Sequence, residues 1–222
     1  MKGRPRTKER EERITEIAAA AKAVFFEKGY FGSTIDGISR RAGISKGTVY
    51  LYFKNKDELY VSLMLPMIQE FTVMLHDFEN DMLKKKYHTG AAIIAQICKM
   101  YTKLYDFDPH GLRIFQVYQL LDLFRVIDKK VLEHLWVTAK SNIAISANII
   151  SHAMDQGLLP RMNPVQFVNV LWASFLGIVQ VEGARLRATQ KDFVIETVNS
   201  CFALFTKGVD IRARNHPRGG EK

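Results

Sequence analysis

Residues 33–59 read STIDGISRRAGISKGTVYLYFKNKDEL, and three short helices fit within them. Each has its own opening cap. Ser33 with Asp36 three residues on forms a capping box, in which hydroxyl and carboxylate satisfy backbone donors that lack helical partners. Ile35, Ile38 and Ala42 recur at helical spacing, and Gly43 supplies a left-handed stop. Ser45 caps a second helix carrying Lys46, Gly47, Thr48, Val49, Tyr50 and Tyr52, and Asn55 with Glu58 repeats the box to open a third. Helix, tight turn at Gly43-Ile44-Ser45, helix is the arrangement that lays a second helix in the DNA major groove.

Chemistry assigns roles within this head. Lys46 begins the reading helix, whose first residues reach base edges. Gly47 lets the backbone approach closely, and Thr48 offers a hydroxyl. Tyr50 and Tyr52 each bring an aromatic face and an OH, suited to phosphate or a thymine methyl. Val49 and Phe53 pack inward. Lys56 and Thr34 each stand at a helix start, where dipole and donors favour a phosphate. With Ser45, the candidate DNA-binding set is Thr34, Ser45, Lys46, Gly47, Thr48, Tyr50, Tyr52 and Lys56.

Gly29-Tyr30, Ser33-Thr34, Ile38, Ala42-Gly43-Ile44-Ser45, Gly47-Thr48, Tyr50, Tyr52-Phe53, Lys56 and Leu59 keep a fixed register that resembles the amino-terminal domain of TetR-family transcriptional regulators. The resemblance covers roughly residues 10 to 60, and Leu51 departs from it where several members carry an aromatic residue. It implies that the candidate positions are those used for DNA. It also implies that the last two helices form a dimer bundle and that a small-molecule effector pocket lies in the remainder.

The charge follows the same division. Of the net +9, residues 1–56 hold 13 Lys/Arg against 6 Asp/Glu, residues 57–206 hold 14 against 15, and the tail from Lys207 holds 5 against 2. A basic head on a near-neutral body suits a polyanion partner. Cys98 and Cys201 stand alone without CxxC pairing and read as buried free thiols of a reducing cytosol. Val165–Val181 is the most apolar run, but Gln166, Asn169, Ser174 and Gln180 interrupt it, so a buried helix is expected and no membrane partner.

Residues 1–8 lack an apolar anchor and read as a disordered basic arm, in which Lys2, Arg4 and Arg6 suit a minor groove. The helix-turn-helix domain spans 9–56, its first helix running from Glu9 to a stop at Gly29. A helical ligand-binding and dimerisation domain follows over 57–211, with a disordered tail at 212–222. Tyr60, Met64, Met67, Phe71, Met74 and Phe78 form one helical stripe, with a kink expected between Ser62 and Pro66. Further helices fit Thr89–Tyr105, Leu112–Arg125, Asp128–Gly157, Val165–Arg187 and a last one capped by Thr189 and Asp192. No stretch alternates long enough for a strand, so the fold class is all-α: a three-helix DNA-binding head plus a larger helical effector-binding and dimerisation domain.

Phe167, Leu171 and Phe175 on one late helix, and Val198, Phe202 and Phe205 on the other, are the candidate dimer residues. Methionines and aromatics between residues 64 and 172 suggest a soft apolar pocket for a small apolar or aromatic effector. Its candidate lining is Met64, Met67, Phe71, Met74, Met100, Tyr101, Phe115, Tyr118, Trp136 and Trp172, with Gln119 and Asn142 as polar handles. No nucleophile elbow, phosphate loop or HExxH is present. His134 and His152 share a helix face but stand about 27 Å apart, so neither a metal site nor a cofactor is expected. The expected function is a homodimeric regulator, of repressor type, on a palindromic double-stranded operator. The alternatives are a helical small-molecule carrier or enzyme reusing the fold, or a regulator governed by a partner protein.

Overall fold

The computed structural model describes the backbone of residues 6–215 and the side chains of residues 9–209. Ten α-helices follow one another: α1 Arg6–Gly32, α2 Ile35–Ala42, α3 Lys46–Tyr50, α4 Lys56–Ser62, α5 Leu65–Leu83, α6 Gly90–Phe107, α7 Pro109–Leu120, α8 Lys129–Asp155, α9 Pro164–Thr189 and α10 Val194–Asn215. A 3-10 turn, Leu123–Arg125, precedes α8. No strand occurs among the described residues, and the fold is all-α.

Local sequence explains the joints. Gly29 breaks α1 with φ 67° and ψ 175°, and one further turn reaches Gly32. The helix starts at Arg6 rather than Glu9, so Arg6 and Lys8 are helical and not part of a loose arm; Lys2 and Arg4 lie outside the described residues. Likewise α10 continues through Asn215, past the expected limit of 211, and residues 216–222 lie outside the described part. Thr89, Asn163 and Asp128 accept backbone N–H bonds at the starts of α6, α9 and α8 as their residue types favour. The expected interruption falls at Leu63–Met64, between α4 and α5, where Leu63 N–H turns back to the Tyr60 carbonyl.

The chain forms two compact units, and the first is not contiguous. It joins the segment ending at Pro66 to His110–Leu135, whereas the sequence suggests one head ending at residue 56. Its core is built from Ile17, Ala21, Val24 and Phe25 of α1, Ile38 of α2, Val49 of α3, and Leu59 and Tyr60 of α4. Tyr60 donates to the Ile114 carbonyl at 2.9 Å and so anchors α7 within this unit.

The second unit comprises Met67–Pro109 and the segment from Trp136 onward. Here α10 packs on α6 and α9. Tyr101 is its hub: Phe175 stacks on it at 4.8 Å, and Phe202 and Trp172 meet it edge-on at 5.6 and 5.5 Å. The thiols expected to be buried are free but only half-buried, Cys98 on α6 and Cys201 on α10. Burial still pushes both thiols above their ordinary range.

Candidate nucleic-acid interface and ligand cavity

The reading head is assembled by caps. Thr34, not Ser33, caps α2: its hydroxyl accepts from Gly37 N–H at 3.0 Å. Ser33 is buried and donates to the Gly29 carbonyl at 2.6 Å, closing the end of α1. Gly43 takes the left-handed conformation, φ 67°, that ends α2. Ser45 accepts from Thr48 N–H at 3.0 Å and opens α3, while the two hydroxyls share a 2.8 Å bond. Asn55 accepts from Glu58 N–H at 2.8 Å, and the Glu58 carboxylate returns to Lys54 N–H rather than to Asn55.

Side chains then sort by face. Val49 and Phe53 are buried, which fixes α3 with its opposite side outward. Thr34, Ser45, Lys46, Gly47 and Tyr50 are exposed, and Thr48 and Tyr52 are half-exposed. Two exposed residues join this surface that the candidate set omits: Leu51, 78% exposed at the end of α3, and Lys54. A leucine so placed has no packing reason to be outside, which is the signal that could have flagged it. Lys130, beside Val131 at the start of α8, shares an open cleft with Tyr52, Lys54 and Asn55. No local sequence pattern connects a lysine 75 positions away to the head.

Lys56 corrects its expected role. Its ammonium donates to the carbonyls of Tyr30 (2.9 Å) and Ser33 (3.3 Å) and lies 4.2 Å from the centre of the Tyr30 ring. The side chain therefore pins α4 to the end of α1 instead of presenting charge outward. Tyr30 also donates to Asp57, and burial first, with that carboxylate second, pushes its phenol well above the usual tyrosine value.

In the second unit a narrow cleft of about 30 Å³ opens among α5, α6, α8 and α9. Of the candidate pocket residues, Phe71, Met100 and Tyr101 are part of its lining. The rest of its lining comes from Leu75, Phe78, Ile97, Ile149, Ile150 and Val168, together with Leu171 and Ser146. Several expected pocket residues stand elsewhere. Met64, Phe115, Tyr118 and Gln119 belong to the first unit. Met67 is buried, Met74 half-buried and Trp136 42% exposed, and none of them lines the cleft. Trp172 is likewise absent from the lining, stacking instead on Phe71 at 5.5 Å. Asn142 is buried but committed, meeting the Thr72 hydroxyl at 2.9 Å and donating to the Ile68 carbonyl.

The expected dimer residues also change place. Phe167, Leu171, Phe175, Val198 and Phe202 are buried within their own unit, and Phe205 is half-buried. Nor is α9 buried all round. Its inner row is Phe167, Leu171, Phe175, Val179 and Glu182, while Val170, Ala173, Gly177, Val181 and Ala184 form an open row at intervals of three and four. On α10, Ile195, Ala203 and Leu204 are also open. By length and composition Lys56–Leu83 and Pro164–Thr189 would each suffice to cross a membrane, but Gln166, Asn169, Gln180 and Arg185 lie on the exposed side of α9.

Comparison with known proteins agrees with this geometry. Residues 17–63 match the family described as bacterial regulatory proteins, tetR family. A fatty acid metabolism regulator protein of Bacillus subtilis is 28% identical over 150 residues, covering 68% of this chain and 72% of that protein. The regulator RutR of Escherichia coli O157:H7 is 24% identical over 200 residues, covering 87% and 88%. Among solved structures, FadR from Bacillus subtilis in complex with stearoyl-CoA aligns with a TM-score of 0.63 at 23% identity, covering 88% of this chain and 98% of that one. A helix-turn-helix head with an outward-facing α3 agrees with these likenesses: over residues 17–63 the chain matches the DNA-binding domain of the TetR family, and the proteins it resembles are transcriptional regulators.

Proposed function

We propose that this protein is a homodimeric repressor that binds a palindromic operator through α3 and leaves it when a long-chain fatty acyl thioester enters the cleft of the second unit. The observation that carries the effector reading is the lining of that cleft, where every side chain except Ser146 is apolar or aromatic. Ser146 donates to the Asn142 carbonyl of its own helix, which leaves the walls with little polar demand. Such walls suit an alkyl chain, and because the cleft is narrow, Met100 and its neighbours repack to admit one. The likeness to a fatty acid metabolism regulator, and to FadR in complex with stearoyl-CoA, supports the same chemistry.

For the head, Lys46, Gly47 and Thr48 are the base-facing residues, with Leu51 offering an apolar surface to a thymine methyl. Tyr50, Tyr52 and Lys54 face phosphates, Thr34 and Ser45 hold the helix starts, and Lys56 acts by pinning α4. Two heads on a dimer read half-sites about 34–36 Å apart, or a multiple of that distance. The open rows of α9 and α10 are the surfaces that pair two copies.

Genomic fragments captured by the purified protein give the operator. Stearoyl-CoA is then titrated into the operator complex, with acetyl-CoA as the control that carries the same head group. Release by the long-chain thioester alone is expected. Release by neither compound, or by both equally, overturns the effector reading and leaves the operator reading intact. Binding itself should weaken with salt as log K falls by about 0.9 per neutralised phosphate.

A further inference from the structure

Within the first unit, an open cleft of about 340 Å³ runs between the α3–α4 joint and the first turn of α8. Its floor is fixed by packing, with Phe53 and Val61 buried beneath it. The polar side chains of the lining are Tyr52, Lys54, Asn55, Glu58, Ser62 and Lys130. Three of these are engaged locally. Asn55 accepts from Glu58 N–H, the Glu58 carboxylate accepts from Lys54 N–H, and Ser62 donates to the Leu59 carbonyl at 2.7 Å. What remains at the opening is the Tyr52 phenol and the ammonium groups of Lys54 and Lys130, both lysines being exposed.

A third cation joins them at Tyr52. Arg10, exposed on α1, places its guanidinium 5.8 Å from the centre of the Tyr52 ring. Three elements far apart in the chain thus bring positive charge to one tyrosine. The carboxylates of the neighbourhood are Glu58, engaged as above, and Asp128, which takes the Lys130 N–H at 2.8 Å. Gathering like charges on an open surface opposes the compact state, so this cluster contributes nothing to folding that would explain it. An anion from outside does explain it. Tyr52 and Lys54 follow α3 directly, and the exposed Tyr50 and Leu51 lead into them, so the cleft continues the surface of the reading helix.

We propose that Lys130, at the start of α8, is a DNA-backbone contact outside the helix-turn-helix, and that with Arg10 and Lys54 it extends the operator interface along this cleft. A phosphate chain carries no sequence information, so contacts of this kind position the protein rather than specify the site. The inference rests on the operator reading of α3 and adds to it a surface from a segment of the chain well beyond the motif.

The test measures affinity for the captured operator duplex and for a scrambled duplex of the same length, over a range of salt. Lys130→Gln should weaken both about fivefold and lower the salt slope of log K by about 0.9 per subunit. Lys130→Arg should keep the wild-type slope. Lys140→Gln removes the same charge from an exposed position of α8 in the other unit and should change neither quantity. Arg10→Gln and Lys54→Gln should behave as Lys130→Gln does, and they decide the matter if circular dichroism shows that Lys130→Gln misfolds. An unchanged slope in Lys130→Gln, or an equal fall in Lys140→Gln, overturns the proposal and leaves α3 as the reading helix. So does a loss confined to the operator, which marks base readout. Absence of DNA binding by the wild-type protein overturns the operator reading and this contact together. Pyrophosphate, titrated by calorimetry into the DNA-free protein, should not saturate below about 1 mM. Saturation there that Lys130→Gln abolishes assigns the cleft to a small anion and also overturns the proposal.

Discussion

The Lys56 ammonium donates to two carbonyls at the end of α1 and rests on the Tyr30 ring, so its charge stabilises a joint between helices. Hydrogen bonds from a charged donor contribute about 1.5–3 kcal/mol. Lys56→Met should therefore lower the urea midpoint of the protein and weaken operator binding as a consequence. Tyr50→Ala, at a 47% exposed position, should weaken operator binding with a stability change within about 0.5 kcal/mol. An unchanged midpoint in Lys56→Met with lost DNA binding would return the ammonium to a phosphate. The tyrosines give a pH test of the same packing. Burial raises the phenols of Tyr30, Tyr60, Tyr101 and Tyr105 above their ordinary value near 10. The stability this represents is fully present below about pH 10 and is lost as pH rises toward the raised values. Ultraviolet titration should find these phenols ionising only together with alkaline unfolding; early ionisation in the native state would refute their burial. At this scale the sequence is legible to within a residue. The hydroxyls at 33 and 34 are both competent caps, and only the path of the chain after Gly29 decides that Ser33 turns back to α1 and Thr34 caps α2.

Among the elements, α9 carries the lesson most clearly. Its sequence is apolar nearly all round, and the largest side chains attract attention as an interface. Large aromatics, however, fill a core best, and Phe175 with Phe202 closes on Tyr101 inside the unit. The face left over carries Val170, Ala173, Gly177, Val181 and Ala184, residues small enough for another helix to approach closely. Gly177→Glu or Val181→Glu should thus yield a folded monomer with weak operator binding, seen by sedimentation and circular dichroism together. Phe175→Glu should instead unfold the second unit, since a carboxylate placed in that core costs several kcal/mol or must neutralise. A Val181→Glu protein that still sediments as a dimer would remove this face from the interface. Helix existence, the caps at Ser45 and Asn55 and the break after Ser62 were legible, because each depends on neighbours within four residues. Which of two apolar faces lies inward was not, because it depends on partners from α6 and α10.

For the molecule as a whole, the chain leaves the first unit at Pro66, returns at His110 and leaves again after Leu135. Periodicity can place α7 but not its attachment to Tyr60, 54 residues earlier, so the head looked shorter from the sequence than it is. The lining of the second unit's cleft was partly legible for the same reason. Phe71, Met100 and Tyr101 follow from their stripes, whereas Ile149, Ile150 and Val168 enter only when α8 and α9 close the space. The segment α4–α5 begins at the Lys56 joint, is interrupted at Leu63–Met64, and carries Phe71, Leu75 and Phe78 on the cavity wall. An interruption lacking regular helical bonds is a place where the angle between two helices changes at low cost. If an acyl chain beside Phe71 favours one angle and the operator another, the two ligands must oppose each other reciprocally. A tenfold loss of operator affinity corresponds to about 1.4 kcal/mol of coupling, and the operator must weaken the acyl thioester by the same factor. Phe71→Ala should then reduce the response to stearoyl-CoA more than it reduces operator binding by the ligand-free dimer. The measurement is a titration of stearoyl-CoA against the protein with and without saturating operator duplex. A thioester that binds with equal affinity in both states carries no signal to the head, and in that case α4–α5 is a connector rather than a switch.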